Sequence, residues 1–451
     1  MHSPRIALVA SLLIACVAAQ QEPQPPTPSA RPAPQRPPNL VLLLADDAGW
    51  ADFGFQPGCA ADARVLTPRI DSIAADGARF PSAYVSGAVC SPSRAGLQTG
   101  RYQQRFGHEK NIPAGYMAGG MALEERTIGD RLAALDYDTA LVGKWHLGYP
   151  AEYHPNRRGY ELFYGLLQGS RSYLPMAKPT PHKVIQRNGT PLPEGGHVTA
   201  RLGDAATQFV REHREQPFVL MVCFTATHGP LEPAEGDLAV VPEAIRKQRR
   251  NNLGLLVGLD RAVGAVLDAI DAAGLRDDTL VVFSNDNGGQ TQTGADNGQL
   301  RGRKGMVYEG GVRVPMAMRW PGVIGKGGVI DDPVILLDVL PTFVAAAGGT
   351  VDPAWHIDGV DLLPRLRGTS PRLAERPLFW RTAGSKGPVA MRRGRYKLVH
   401  LRGQEGAAPQ LFDLDRDLGE TTDLAAAEPE RLAAMLAELA AWERQLVEPR
   451  W

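Results

Sequence analysis

Three features of the 451-residue sequence predict an α/β fold, a large mixed, mostly parallel sheet sandwiched by helices, with a smaller C-terminal α+β subdomain. Short runs rich in Val, Leu and Ile show little polar alternation, as strands covered on both faces do. Helical patterns separate these runs. Beyond about residue 365 the texture changes to short alternating strands and one amphipathic helix.

The runs are NLVLLL (39–44), TALV (139–142), PFVLMVCFT (217–225) and TLVVFS (279–284). Between them, TIGDRLAAL from Thr127 and LLVGLDRAVGAVLDAIDAAG have helical spacing, and Gly274 is a natural stop for the second. In the C-terminal part, PVAMRRGRYKLVHL and PQLFDLDRDLGETTDL predict hairpin strands, and EPERLAAMLAELAAWERQL predicts a long helix. The expected organisation is a leader over 1–19, a linker over 20–38, a large α/β domain over 39–365 and the subdomain over 366–451.

Lys+Arg and Asp+Glu both total 49, so no net field gathers nucleic acid or an anionic membrane, and any anion must be met by a local site. His2 and Arg5 precede the apolar run IALVASLLIAC, too short to span a bilayer but suited to an export signal. Two cleavage sites fit: after Ala19, giving a periplasmic or secreted protein, or before Cys16, whose LIAC context resembles a lipoprotein box and implies a lipid anchor at the cell envelope. The following QQEPQPPTPSARPAPQRPP reads as an extended spacer. After the leader, Cys59, Cys90 and Cys223 give no disulfide framework. Cys223 lies in an apolar strand and is expected as a small buried thiol, and Cys59 is assigned no role.

Each predicted strand is followed by ionisable or amide groups. Asp46 and Asp47 come after the first, Lys144 and His146 after the second, His228 after the third, and Asp286 and Asn287 after the fourth. Ligands of open α/β sheets collect beyond the carboxyl ends of strands, so one site can draw on all four loops. Asp46, Asp47, Asp286 and Asn287 offer oxygen donors only, which favours a hard cation, Ca²⁺ or its smaller relative Mg²⁺, over zinc. The pairs at 277–278 and 331–332 are read as solvated loop aspartates.

The stretch VCSPSRAGLQTGR (89–101) predicts a helix start with Pro92 in its first turn, a setting that lowers a thiol pKa and attracts anions. A cysteine-phosphatase loop needs its arginine six positions after the cysteine, whereas Arg94 comes four after, so that chemistry fails on spacing.

CSPSR followed by AGLQTGR instead resembles the sequence around the modified cysteine of the type I sulfatases, in the alkaline-phosphatase-like superfamily. LLLADDAGW, LVGKWHLG, FTATHGP, FSNDNGG and LRGRKGMVYEGGVRVP are similar to other motifs of that family, in family order, over residues 39 to about 315. The resemblance implies that a maturation enzyme converts Cys90 to formylglycine, whose hydrate is the nucleophile and forms a sulfated-enzyme intermediate. It implies a metal held by Asp46, Asp47, Cys90, Asp286 and Asn287. It also implies that Lys144, His228 and Lys304 hold the sulfate while Arg94 steadies the hydrate. Asp286 would take the proton of the attacking hydroxyl, His228 or Lys304 would protonate the departing alcohol, and His146 would deprotonate the second hydroxyl to expel sulfate. Gly310 and Gly311 are expected to permit a tight backbone approach, and Arg313 to be structural. The chain departs from the family at Ala200 and Leu259, outside the catalytic set.

GRYQQRFGHE resembles the bacterial polysaccharide-degrading branch, which implies a sulfated glycan as substrate. Substrate choice is expected in the loops at 105–120, 149–165 and 170–190, with His108, Glu109, His154 and Arg157 as sugar contacts. Two alternatives stand beside this. A phosphoester or phosphonate hydrolase of the same fold would, if dinuclear in zinc, need more histidines, and Asn287 rather than His follows Asp286. A non-catalytic glycan-binding protein would not need the complete set of reactive residues.

Overall fold

A continuous apolar run can bury both faces of a strand, and the central sheet is built that way. The computed structural model describes residues 1–2 and 36–451. The leader with Cys16 and most of the linker therefore lie outside the described residues. In β1 (Asn39–Ala45) every residue is buried. Leu40, Leu42 and Leu44 enter the core on one face, and Val41, Leu43 and Ala45 enter the core on the other.

The other strands expected from the sequence follow as β2 (Asp138–Lys144), β4 (Phe218–Cys223) and β5 (Thr279–Asn285), with β3 (Leu162–Leu166) and β6 (Met316–Arg319) in addition. β3 falls at the end of the stretch read as the variable loop 149–165. The ten-stranded sheet runs Gly328–Val329, Ala78–Arg79, β6, β5, β1, β4, β2, β3, Gln186–Arg187, Thr190–Pro191. β5, β1, β4, β2 and β3 are parallel, and β6 is antiparallel to β5.

The principal helices are α1 (Pro68–Ala75), α2 (Cys90–Thr99), α3 (Ile128–Ala133), α4 (Val198–Glu212) and α5 (Lys247–Ala272). Thr127 caps α3, accepting from Asp130 N at 3.0 Å. α5 begins eight residues before its apolar pattern, through the polar KQRRNNLG. It stops as expected before Gly274, whose φ of 73° turns the chain out of the helix.

A second antiparallel sheet holds β7 (Leu378–Arg381), β8 (Val389–Arg393), β9 (Tyr396–His400) and β10 (Gln410–Asp413), in that order. The strand expected across 409–424 ends at Asp413, because Asp417 closes a turn by accepting from Thr421 N and Thr422 N. α6 (Pro429–Glu443) buries Met435, Leu439 and Trp442 against this sheet, with Trp442 stacked on Phe379 at 4.8 Å. The fully buried Lys397 of β9 bonds Glu309 at 2.8 Å and Glu420 at 3.0 Å, which ties the sheet to the segment carrying Lys304. Residues 36–451 lie within one compact unit.

Candidate active site

Because β5, β1, β4 and β2 are neighbours, the groups that follow them meet along one edge of the sheet. Main-chain bonds lock the loops together. Asp46 N donates to Ala226 O at 2.8 Å, Thr227 N to Asp46 O at 2.7 Å, and Asp286 N to Ala45 O at 3.1 Å. Asp47 and His146 adopt left-handed backbone, with φ of 64° and 61°, a conformation that non-glycine residues hold only under constraint.

Cys90 is the first residue of α2 and is buried. Its Sγ lies 3.6 Å from Asp46 Oδ1 and 3.2 Å from Lys304 Nζ. Burial pushes the thiol up to about 12 against the pull of Lys144, and Asp286 and Asp46 add to the rise. The unmodified side chain is therefore not a thiolate near neutral pH, and the helix start does not lower its pKa as its position suggested. Arg94, one turn on, donates from Nε to Asp286 Oδ2 at 2.9 Å and from Nη1 to Lys144 O at 2.9 Å, with Nη2 3.4 Å from Asp46.

The carboxylates are met by cations on the other side. Lys144 Nζ donates to Asp46 Oδ2 at 2.5 Å, and Lys304 Nζ lies 2.7 Å from Asp47 Oδ1. His228 Nδ1 bonds Gly229 O at 2.7 Å, which leaves Nε2 turned toward Asp47 Oδ2 at 3.6 Å. Burial works against the Asp46 charge, but Lys144, His228 and Arg94 outweigh it and hold that carboxyl below the usual range. Burial followed by Lys144 and Arg94 holds the His146 imidazole well below its ordinary value, so the ring is neutral.

The oxygen donors at the site fit a hard cation. Asp46, Asp47, Cys90 and His228 present ligand atoms within 4.8 Å of one another. Asn287 Nδ2 donates to Asp47 Oδ1 at 2.8 Å, while Asn287 Oδ1 is buried with no hydrogen-bond partner among the described residues. A buried carbonyl oxygen without a donor, beside aspartates, is what a Ca²⁺ or Mg²⁺ site requires.

The expected sugar contacts fare differently, and two are corrected. His108 is fully buried against Ser91 and Trp451. Glu109 is buried in an ion pair with Arg381 and accepts from Gly384 N at 2.8 Å. Neither meets solvent, because the polar loop that carries them is folded under other segments. His154 is half-buried with both ring nitrogens engaged, by Gln186 Oε1 and Asn156 N, and Arg157 is exposed. Arg313 bonds Glu309, Pro81 O and Ser82, and a Cβ on Gly311 would lie 1.9 Å from Met306 O. Cys223 is buried in β4. Three supporting groups had no assigned role in the sequence: Ser91, Asn285, which accepts from Ala48 N, and Tyr173, whose hydroxyl lies 2.5 Å from Thr225 O and 2.8 Å from His228 O. Ser91 and Asn285 lie inside CSPSR and FSNDNGG, which was the available signal.

Residues 38–349 match the Sulfatase family model. The chain belongs to the sulfatase family. It is a type I, formylglycine-dependent sulfatase with the alkaline-phosphatase-like fold, and its buried Asp/Asp/Cys/His cluster is of the kind a metal- and formylglycine-dependent site uses. Residues 302–445 of this sulfatase match a second model, N-sulphoglucosamine sulphohydrolase, C-terminal. The sulfatase is 34% identical to arylsulfatase A of Homo sapiens over 451 residues, covering 89% of this chain and 86% of that protein. With the steryl-sulfatase of Mus musculus it shares 30% identity over 466 residues, covering 83% and 72%. Among solved structures, Ps i-CgsB in complex with k-i-k-neocarrahexaose matches with a TM-score of 0.86 and 32% identity, covering 92% of this chain and 95% of that one. No helix among the described residues is long and apolar enough to cross a membrane.

Proposed function

We propose that this sulfatase hydrolyses sulfate esters of carbohydrates, using Cys90 after a maturation enzyme has oxidised it to formylglycine, beside one Ca²⁺ ion. The observation that carries this is the seat of Cys90 Sγ, at the start of a helix and between Lys304 Nζ and Asp46. Asp46, Asp47, Asp286 and Asn287 would hold the cation, which when bound supplies positive charge to the nonbridging sulfate oxygens. Lys144, His228 and Lys304 bind the same oxygens, and Arg94 steadies the side chain at position 90.

Hydration of the aldehyde puts two hydroxyls on one carbon. Asp286 takes the proton of the hydroxyl that attacks sulfur, and His228 or Lys304 protonates the alcohol as its bond to sulfur breaks. His146 then takes the proton of the second hydroxyl. The carbon–oxygen bond to sulfate breaks, sulfate leaves, and the carbonyl re-forms.

A relative crystallised with a neocarrahexaose supports the glycan class, and half-buried His154 and exposed Arg157 are the expected sugar contacts that remain. On this reading residues 39–365 carry the chemistry and 366–451 buttress it, and the apolar leader exports the chain, with Cys16 as a lipid site if cleavage precedes it. The test is paired. The tryptic peptide ending at Arg94 should show the aldehyde mass, and sulfate should be released from sulfated oligosaccharides in proportion to aldehyde content. Activity confined to aryl sulfates would remove the glycan assignment, and full activity in chains with an intact thiol would remove the mechanism.

A further inference from the structure

His108 has no exposed surface, and it lies behind the start of the catalytic helix. Its Nε2 is 2.7 Å from Ser91 Oγ, and Ser91 Oγ is 2.7 Å from the main-chain oxygen of His146. A serine hydroxyl has one proton, and a carbonyl oxygen can only accept. That proton therefore goes to His146 O, and Ser91 Oγ accepts from His108, which fixes the His108 proton on Nε2. His108 Nδ1 is buried with no partner among the described residues, as suits the bare nitrogen of a neutral ring. Burial drives the His108 pKa down to about 3, so the ring stays in this form across the working range.

The recipient of the serine proton is under constraint. His146 holds φ at 61°, a backbone state that costs on the order of 1–3 kcal/mol and persists only where its surroundings enforce it. Two bonds do so: His146 N donates to Leu167 O at 3.0 Å, and His146 O accepts from Ser91. Gly169 leaves room for the ring, since a Cβ there would come within 2.4 Å of His146 Cε1. Trp451 packs against His108. Its ring meets His108 edge-on at 4.7 Å and its Nε1 donates to Asn111 O, while Asn111 Oδ1 accepts from Ser91 N at 2.9 Å.

We propose that His108 is a positioning residue for His146: by donating to Ser91 it commits the serine proton to the His146 carbonyl and fixes the strained turn from which the His146 ring serves sulfate release. The proposal rests on the role given above to His146. Loss of the His108 donor should loosen that turn and slow the second half of the reaction about 10- to 100-fold, leaving alcohol release in the first turnover nearly unchanged.

The experiment is rapid-mix turnover of 4-nitrophenyl sulfate by wild type, His108→Met, His108→Gln and His146→Ala, each normalised to its aldehyde content. His108→Met and His146→Ala should give a burst of nitrophenol followed by slow turnover, with sulfate retained on the peptide containing residue 90. His108→Gln, which keeps a donor near Nε2, should recover most of the steady rate. A burst in His146→Ala but none in His108→Met, or a Gln variant no better than Met, overturns the positioning role. No burst in His146→Ala overturns the role of His146 itself and the proposal with it. Should His108→Met fail to fold, Ser91→Ala removes the same bond from its other end, and a wild-type ratio of first to later turnovers there is equally decisive against it.

Discussion

Lys144 Nζ donates to Asp46 Oδ2 at 2.5 Å, with both side chains wholly removed from water. Burial opposes both charges, yet Asp46 raises the Lys144 pKa and Lys144 lowers that of Asp46, so each keeps the other ionised. Lys144→Met would leave Asp46 with Arg94 at 3.4 Å as its nearest fixed cation. Removing one partner of such a pair costs about 3–5 kcal/mol, and a sulfate-binding charge goes with it. The expected outcome is a lower denaturation midpoint together with a loss of turnover of at least about 100-fold. An unchanged midpoint in urea would contradict the pairing.

Asn287 Oδ1 is the buried acceptor left without a donor. If it completes a cation site with Asp46, Asp47 and Asp286, Ca²⁺ should stabilise the folded chain by mass action, by about 2.7 kcal/mol at a hundredfold excess over Kd. Asn287→Leu, similar in size but without the oxygen, should flatten the response. Thermal melts against Ca²⁺, Mg²⁺ and chelator read this without any turnover, and a wild-type melting temperature indifferent to both ions would refute the site.

Glu109 and Arg381 form a buried ion pair in which Glu109 Oε2 also accepts from Gly384 N. Glu109→Ala would strand the Arg381 guanidinium away from water, a loss on the order of 3 kcal/mol in stability. Since Glu109 has almost no exposed surface, KM for any sulfated substrate should not move. A raised KM with unaltered unfolding would restore Glu109 as a sugar contact.

The strands at 39, 217 and 279 were legible because a strand buried on both faces must be apolar throughout, and the reactive groups because they sit where those strands end. The burial of His108 and Glu109 was not legible. A polar loop residue facing solvent and one paired with a partner 272 positions away, as Glu109 is with Arg381, look alike in a sequence. The same holds for Lys397, whose partner Glu309 is 88 positions distant. Left-handed backbone at Asp47 and His146 also left no mark, since the usual signal is glycine and these positions need side chains for the site.

Asp260, in the GLDRAVG segment of α5, accepts from Arg69 N at 3.0 Å and Ile70 N at 2.8 Å through one oxygen, capping α1 from another helix. Burial raises its pKa from 3.8 to about 6, beyond what the two backbone bonds to Ile70 and Arg69 offset. The sign follows from proton binding. Below about pH 4 both folded and unfolded chains hold the proton and no penalty applies. Between about 4 and 6 the unfolded chain ionises first, so stability falls as pH rises, and above 6 the folded chain carries a buried charge at a cost of roughly 3 kcal/mol. Asp260→Asn keeps the accepting oxygen and removes that charge. It should therefore be more stable than wild type near pH 7, by up to about 3 kcal/mol, with the difference shrinking toward zero near pH 4. Urea midpoints at the two pH values measure it, and a variant less stable than wild type near pH 7 would show that the charge at the head of α1, rather than the hydrogen bonds alone, holds the helix in place.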